Sequence, residues 1–178
     1  MQSHDGQPQA DRSACGFYYA EHTADVLIRA WSTSMLGAVR QTLLATASLA
    51  VTTSQVRRTG ERTVLIEAAD PVAGLVAAAN ELLFLLDVEG FVAADIAVCP
   101  APGSSCGAEG GASPASGGSC SWQITLSGDL LAEAIPPYQV GTIPKAATYH
   151  LATLAQVQQP LSSGYAAERW EASLVLDL

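Results

Sequence analysis

The sequence predicts an α+β fold, a mixed and largely antiparallel β-sheet with two principal helices packed on one face. Three observations predict it. Several short runs alternate apolar and polar residues with period two, two stretches repeat at helical spacing behind recognisable caps, and strands and helices follow one another in irregular order.

Phe17 to Ala20 and Asp25 to Trp31 read as the first strands; in the second, Val26, Ile28 and Ala30 oppose Asp25, Leu27 and Arg29, so Asp25 points away from the apolar side. Ser34 is positioned to cap a helix in which Met35, Ala38, Val39, Leu43, Ala47 and Ala50 share a face, with Gly37 weakening it slightly. Arg62 to Glu67 is the next strand. Asp70-Pro71 then marks a helix start, a capping carboxylate followed by the imino acid that tolerates the first helical position. Val72, Leu75, Val76, Ala79, Leu82, Leu83 and Leu86 form a wide stripe that ends before Gly90, so this helix is expected to be largely buried. Phe91 to Val98 is a strand, and Trp122, Ile124 and Leu126 alternate with Gln123, Thr125 and Ser127 in the one that follows. Ser127-Gly128-Asp129 resembles a turn, and Pro136-Pro137 marks a loop. Lys145 to Val157 and Trp170 to Leu178 close the fold as two long strands, with Gln158 to Gly164 as their turn.

Domain organisation follows from composition. Residues 1–14 lack periodicity and read as a disordered leader; residues 15–178 read as one domain. Pro100 to Cys120 is almost entirely Pro, Gly, Ser and Ala, too poor in apolar surface to order itself, and is expected to be a flexible insertion between two paired strands. Lengthening such a loop costs only about 0.6 kcal/mol per doubling. With 49% hydrophobic residues in 178, there is enough apolar mass for a real core. No apolar run looks long enough to span a bilayer, and Met1 to Ser13 carries no apolar stretch of the kind a signal peptide needs. A cytoplasmic protein is expected, or a nuclear one if the source is eukaryotic. The net charge of −9 has the wrong sign for a surface that neutralises phosphates, so direct nucleic-acid binding is not expected. Cys15, Cys99, Cys106 and Cys120 show no C-x-x-C spacing and read as free thiols.

Asp25 and Asp177 each interrupt an apolar strand-like run, one near the front of the chain and one at position 177, so the two ends could converge. At about 4–5 Å their repulsion would be roughly 4 kcal/mol at an effective dielectric near 20. A shared proton or a divalent cation could relieve it; oxygen donors favour Ca2+ or Mg2+, with the main-chain oxygens of Leu178 and water completing the shell. The plain alternative is two unrelated strand-edge carboxylates facing solvent. His22 lies three residues before Asp25 and could orient the site, or simply cap or pack. Lys145 could balance the acidic pair or touch a partner, or be an ordinary solvated lysine. By alternation His150 falls on the opposite face from Lys145 and Tyr149 and reads as a core or surface histidine, and Asp87 and Glu89 read as solvated charges at a helix end.

Four segments in order, Glu21-His22-Thr23-Ala24-Asp25, Glu81 through Gly90, Lys145-Ala146-Ala147-Thr148-Tyr149-His150 and Val175-Leu176-Asp177-Leu178, together resemble the archease family from about Phe17 to Leu178, the insertion excluded. The resemblance implies a non-catalytic, chaperone-like helper of the GTP-dependent tRNA-splicing RNA ligase, one that promotes guanylylation of the ligase and its repeated turnover. It also implies a metal site in which Asp25 and Asp177 supply carboxylates and Leu178 a main-chain oxygen. The chain departs from the family pattern at Ile143-Pro144, where relatives place an acidic and then a β-branched residue, and at Leu27, where relatives are often small or polar. Two other functions compete. One is a metal-dependent phosphoester hydrolase using the same carboxylates with His22 as proton shuttle; the other is a general chaperone or scaffold domain in which the acidic pair serves only the fold. The sequence is silent on oligomeric state.

Overall fold

The structure, a computed structural model, describes residues 14–21, 25–104, 119–131, 141–160 and 166–178. Residues 1–13 of the expected leader, His22, residues 105–118 of the expected insertion, Pro136-Pro137 and residues 161–165 of the expected last turn lie outside the described residues. The elements in chain order are β1 (Gly16–Glu21), β2 (Asp25–Ser32), α1 (Met35–Ala50), a 3-10 turn at Thr53–Gln55, β3 (Gly60–Ala68), α2 (Pro71–Glu89), β4 (Phe91–Pro100), β5 (Cys120–Leu130), β6 (Ala146–Pro160) and β7 (Ala166–Asp177). The fold is α+β, with all strand pairs antiparallel.

The strands form two sheets, in the orders β1-β2-β7-β6 and β3-β5-β4, and the helices bridge them. α1 packs on β2 and β7 of the first sheet and on β4 of the second, while α2 packs on β6 of the first and on all three strands of the second. One apolar core runs through both sheets: Ile28, Leu174 and Leu176 meet Leu43, Leu75, Trp122, Ile124 and Leu126. The flanking strands of the insertion pair as expected, with Pro100 opposite Trp122. β6 and β7 run further than their apolar patterns suggested, to Pro160 and from Ala166.

Both helices begin where their caps require. The Ser34 hydroxyl accepts from the Gly37 N–H at 3.1 Å, and the Asp70 carboxylate accepts from the Ala73 N–H at 2.9 Å with Pro71 at the first position. α2 ends at Gly90, whose φ of 65° is the left-handed conformation that satisfies the last carbonyls. By length and composition α2 is apolar enough to cross a membrane, contrary to the first reading of its sequence; half of its most apolar stretch is buried in this core, and a core helix meets the same criterion. The Asn80 side chain on α2 makes two bonds to Ala147 of β6: its amide nitrogen donates to the carbonyl at 3.1 Å and its oxygen accepts from the N–H at 2.8 Å. An amide thereby imitates a neighbouring strand at the sheet's margin. Tyr19 ties β1 to α1 by donating to Ala45 O at 2.7 Å, and burial pushes its hydroxyl up to about 12 against a bond with Ser48.

Ser127-Gly128-Asp129 is not a turn. The three residues lie inside β5, and Gly128 is there because a Cβ would sit 1.9 Å from the carbonyl oxygen of Val92 on β4. Asp129 is a buried anchor, its side chain 2% exposed, accepting from Arg57 Nε at 2.8 Å, Thr59 Oγ1 at 2.6 Å and the Leu130 N–H at 3.0 Å. A sequence that offers Ser-Gly-Asp reads as a turn, but close strand approach asks for the same glycine.

Candidate functional site

β2 and β7 are neighbours, and their register places Asp25 directly opposite Asp177. Directly opposed residues in an antiparallel pair project to the same face, with Cβ atoms about 4.5–5.5 Å apart. The two carboxylates therefore share one row at one end of the sheet, and Ala146 of β6 extends that row on the far side of Asp177. Val26, Ile28, Leu174 and Leu176 occupy the opposite face, against the helices. The local pattern dictates this: an acidic residue at the strand start keeps to the outer face when the next residue is needed in the core.

Lys145 closes the row. Its N–H donates to Asp177 O at 2.8 Å, and its ammonium donates to Leu178 O. One positive charge thus stands at the end of the row, bonded to the Leu178 oxygen and paired with neither carboxylate, and an oxygen that a cation would use already faces a cationic group. Pro144, next to it, is buried. Asp25 is partly buried and Asp177 exposed, so both remain within reach of solvent. His22 is outside the described residues, so its relation to Asp25 is not part of this geometry.

The donor set is oxygen only: two carboxylates and the main-chain oxygen of Leu178. Among the described residues no group of three or more His, Cys, Asp or Glu side chains could hold a metal ion. These oxygens fit a hard divalent ion that keeps several waters, and they do not fit zinc or another metal that wants nitrogen or sulfur. Among the described residues Cys15, Cys99 and Cys120 form no disulfide with one another; Cys120 is buried, with Sγ 3.4 Å from Asp70 O.

Other polar clusters went unread in the sequence. Asp95, at an irregularity of β4, binds the Arg40 guanidinium at 2.7 Å and the Arg58 guanidinium at 3.2 Å, and accepts from the Ile96 N–H at 2.9 Å, while Arg40 Nε donates to Ile96 O at 2.6 Å. Burial alone would push this carboxyl up; the Arg40 bond, the Ile96 N–H and the charges of Arg40 and Arg58 outweigh it and hold the group below its ordinary value. This cluster joins α1 and the loop before β3 to β4. Its one sequence signal was an acidic residue inside an apolar strand, the same signal that singled out Asp25 and Asp177.

His150 is exposed, and strand alternation does not govern it, because β6 leaves register there. Thr148 stands opposite Val175, but the next rung is Thr153 opposite Ser173, so four residues from Tyr149 to Ala152 face the single Leu174. Leu151 in this bulge has φ of 55°. Ser173, 2% exposed, donates to Leu151 O at 2.5 Å and shares a hydrogen bond of 2.7 Å with Thr153 Oγ1.

The molecule is thus of a definite class: a small α+β protein whose paired carboxylates meet where its second strand and its last strand come together. The sequence profile of the Archease protein family (MTH1598/TM1083) matches residues 17–178, and the chain belongs to that family. Its fold is similar to the solution structure of Methanobacterium thermoautotrophicum protein 1598, at 22% identity and a TM-score of 0.65, over 92% of this chain and 99% of that one. A crystal structure of an archease from Thermotoga maritima, described as a possible chaperone, is 15% identical with a TM-score of 0.49, over 89% of this chain and 94% of that one. No curated protein gives a significant sequence match.

Proposed function

We propose that this protein is an accessory factor that stimulates guanylylation and repeated turnover of a GTP-dependent tRNA-splicing RNA ligase, itself catalysing no reaction. The observation that carries the reading is the Asp25–Asp177 rung in a chain of the archease family. The two carboxylates and Leu178 O would hold a divalent ion, Ca2+ or Mg2+, which would supply positive charge at the face that meets the partner. The chain's own residues set the stage for it. β2 and β7 fix the spacing of the carboxylates, Lys145 balances them electrostatically, and Asn80 holds the adjoining strand to α2. The net charge of −9 favours encounter with a basic, RNA-binding partner in the cytoplasm or nucleus.

The test is a guanylylation assay of the cognate ligase with limiting metal, with and without this protein. Wild type should raise both the guanylylated fraction and the number of turnovers. Asp25→Ala and Asp177→Ala should fold and lose that stimulation. Full stimulation by both variants would reject the site, and phosphoester turnover by the purified chain alone would reject the accessory role.

A further inference from the structure

The bulge in β6 holds a leucine in a strained backbone conformation. Leucine strongly disfavours a left-handed backbone, where glycine or asparagine would sit with little strain. Yet Leu151 gains little burial in return: it is 47% exposed, and Tyr149, two residues earlier, is 66% exposed. The conformation is nonetheless firmly held, because the buried Ser173 hydroxyl binds the Leu151 carbonyl and Thr153 Oγ1 together. A strained, locked segment that displays two large apolar side chains to water points to a role outside the fold.

Its position says which role. Ser173, Val175 and Asp177 alternate onto the same face of β7, so the Ser173–Leu151 bond puts the bulge backbone over the face that bears the carboxylate pair. Val175, between Ser173 and Asp177, is only 1% exposed although it lies on the face away from the helices. The bulge backbone and the acidic rung thus lie along one surface, separated by about four residues of strand, roughly 13 Å.

We propose that Tyr149 and Leu151 form a docking prong that seats in an apolar pocket of a protein partner, beside a cationic surface of that partner which meets Asp25 and Asp177 when they hold no ion. The proposal rests on the reading above and takes the ligase as that partner. Charge complementarity supports this occupant: an apolar prong that shares a surface with two carboxylates, in a chain of net charge −9, fits an apolar pocket bordered by positive charge. Tyrosine and leucine at such a point act as anchors, while the carboxylates set orientation and encounter rate.

The experiment is equilibrium binding, in EDTA, of the purified cognate ligase to three forms of the full chain: wild type, a Tyr149→Ser/Leu151→Asn double variant, and Asp25→Asn. Asparagine tolerates the left-handed backbone, so the double variant keeps its bulge while losing its apolar surface. It should keep the circular dichroism and Ca2+ response of wild type, with a thermal midpoint no lower because the strain at position 151 is relieved, yet bind the ligase about tenfold or more weakly, at low and high salt alike. The defect of Asp25→Asn should instead shrink as salt rises. Wild-type binding with the double variant within about twofold of it overturns the prong and leaves the accessory role standing. No binding by wild type overturns both. A wild-type dimer that the double variant loses, with ligase affinity unchanged, would assign the prong to a second copy of this chain and overturn the proposal.

Discussion

Replacing Asp25 with asparagine removes one charge of a directly opposed pair while keeping the side chain's size. Carboxylates about 5 Å apart repel by roughly 3 kcal/mol at an effective dielectric near 20, and by less than about 1 kcal/mol in bulk water. Asp25 is partly buried and Asp177 exposed, so the true value falls between these limits, and the Lys145 ammonium at Leu178 O offsets part of it. A net gain of about 1 kcal/mol is expected, which for a domain of this size raises the metal-free unfolding midpoint by about 2–4 °C. A divalent ion should act in the opposite sense: at a hundred times its Kd it adds about 2.7 kcal/mol to wild type and little to the variant. The two melting curves should therefore cross as ion is added. Circular dichroism melts in EDTA and through a Ca2+ titration measure both effects. A variant less stable than wild type in EDTA, or one whose midpoint climbs with Ca2+ as steeply, would refute the reasoning.

Two further outcomes concern the scaffold. Asp95→Asn should cost about 1 kcal/mol at neutral pH, its partly exposed ion pairs being worth no more. Because folding holds this carboxyl below its ordinary value of 3.8, its contribution is complete above that pH and is lost as the pH falls further, so urea unfolding of the two proteins should converge in acid. Gly128→Ala should lower stability by about 3 kcal/mol, since its new Cβ must displace the Val92 carbonyl from 1.9 Å, and the urea midpoint reports it. A near-neutral effect would mean that β4 and β5 part more easily than their register implies.

The elements whose determinants are local were legible. Ser34, Asp70-Pro71 and Gly90 act within one helical turn, and the alternation of Trp122, Ile124 and Leu126 needs only one buried face, so these readings survive in the structure. The carboxylate rung was legible for a different reason: a charge inside an apolar run is expensive wherever it falls, and two such places suggest one solution. What escaped were features decided by neighbours distant in sequence. The division into two sheets depends on how α1 and α2 bridge them, Gly128 answers to a carbonyl on another strand, and the bulge after Thr148 depends on Ser173 across the sheet. Alternation assigned His150 to a face by counting residues, and counting fails wherever one strand carries extra ones.

The order β1-β2-β7-β6 makes β7 an interior strand: it slides between β6, which it follows directly in the chain, and β2, which was synthesised long before it. A nascent chain on the ribosome can already have built the three-stranded sheet and both helices, yet β2 lacks its inner neighbour until residue 177 has been translated. Such long-range pairing slows folding, and it delays the meeting of the two acids until every element between them in the chain has been made. Electrostatic conflict between them thus arises only in a molecule that already has the means to contain it.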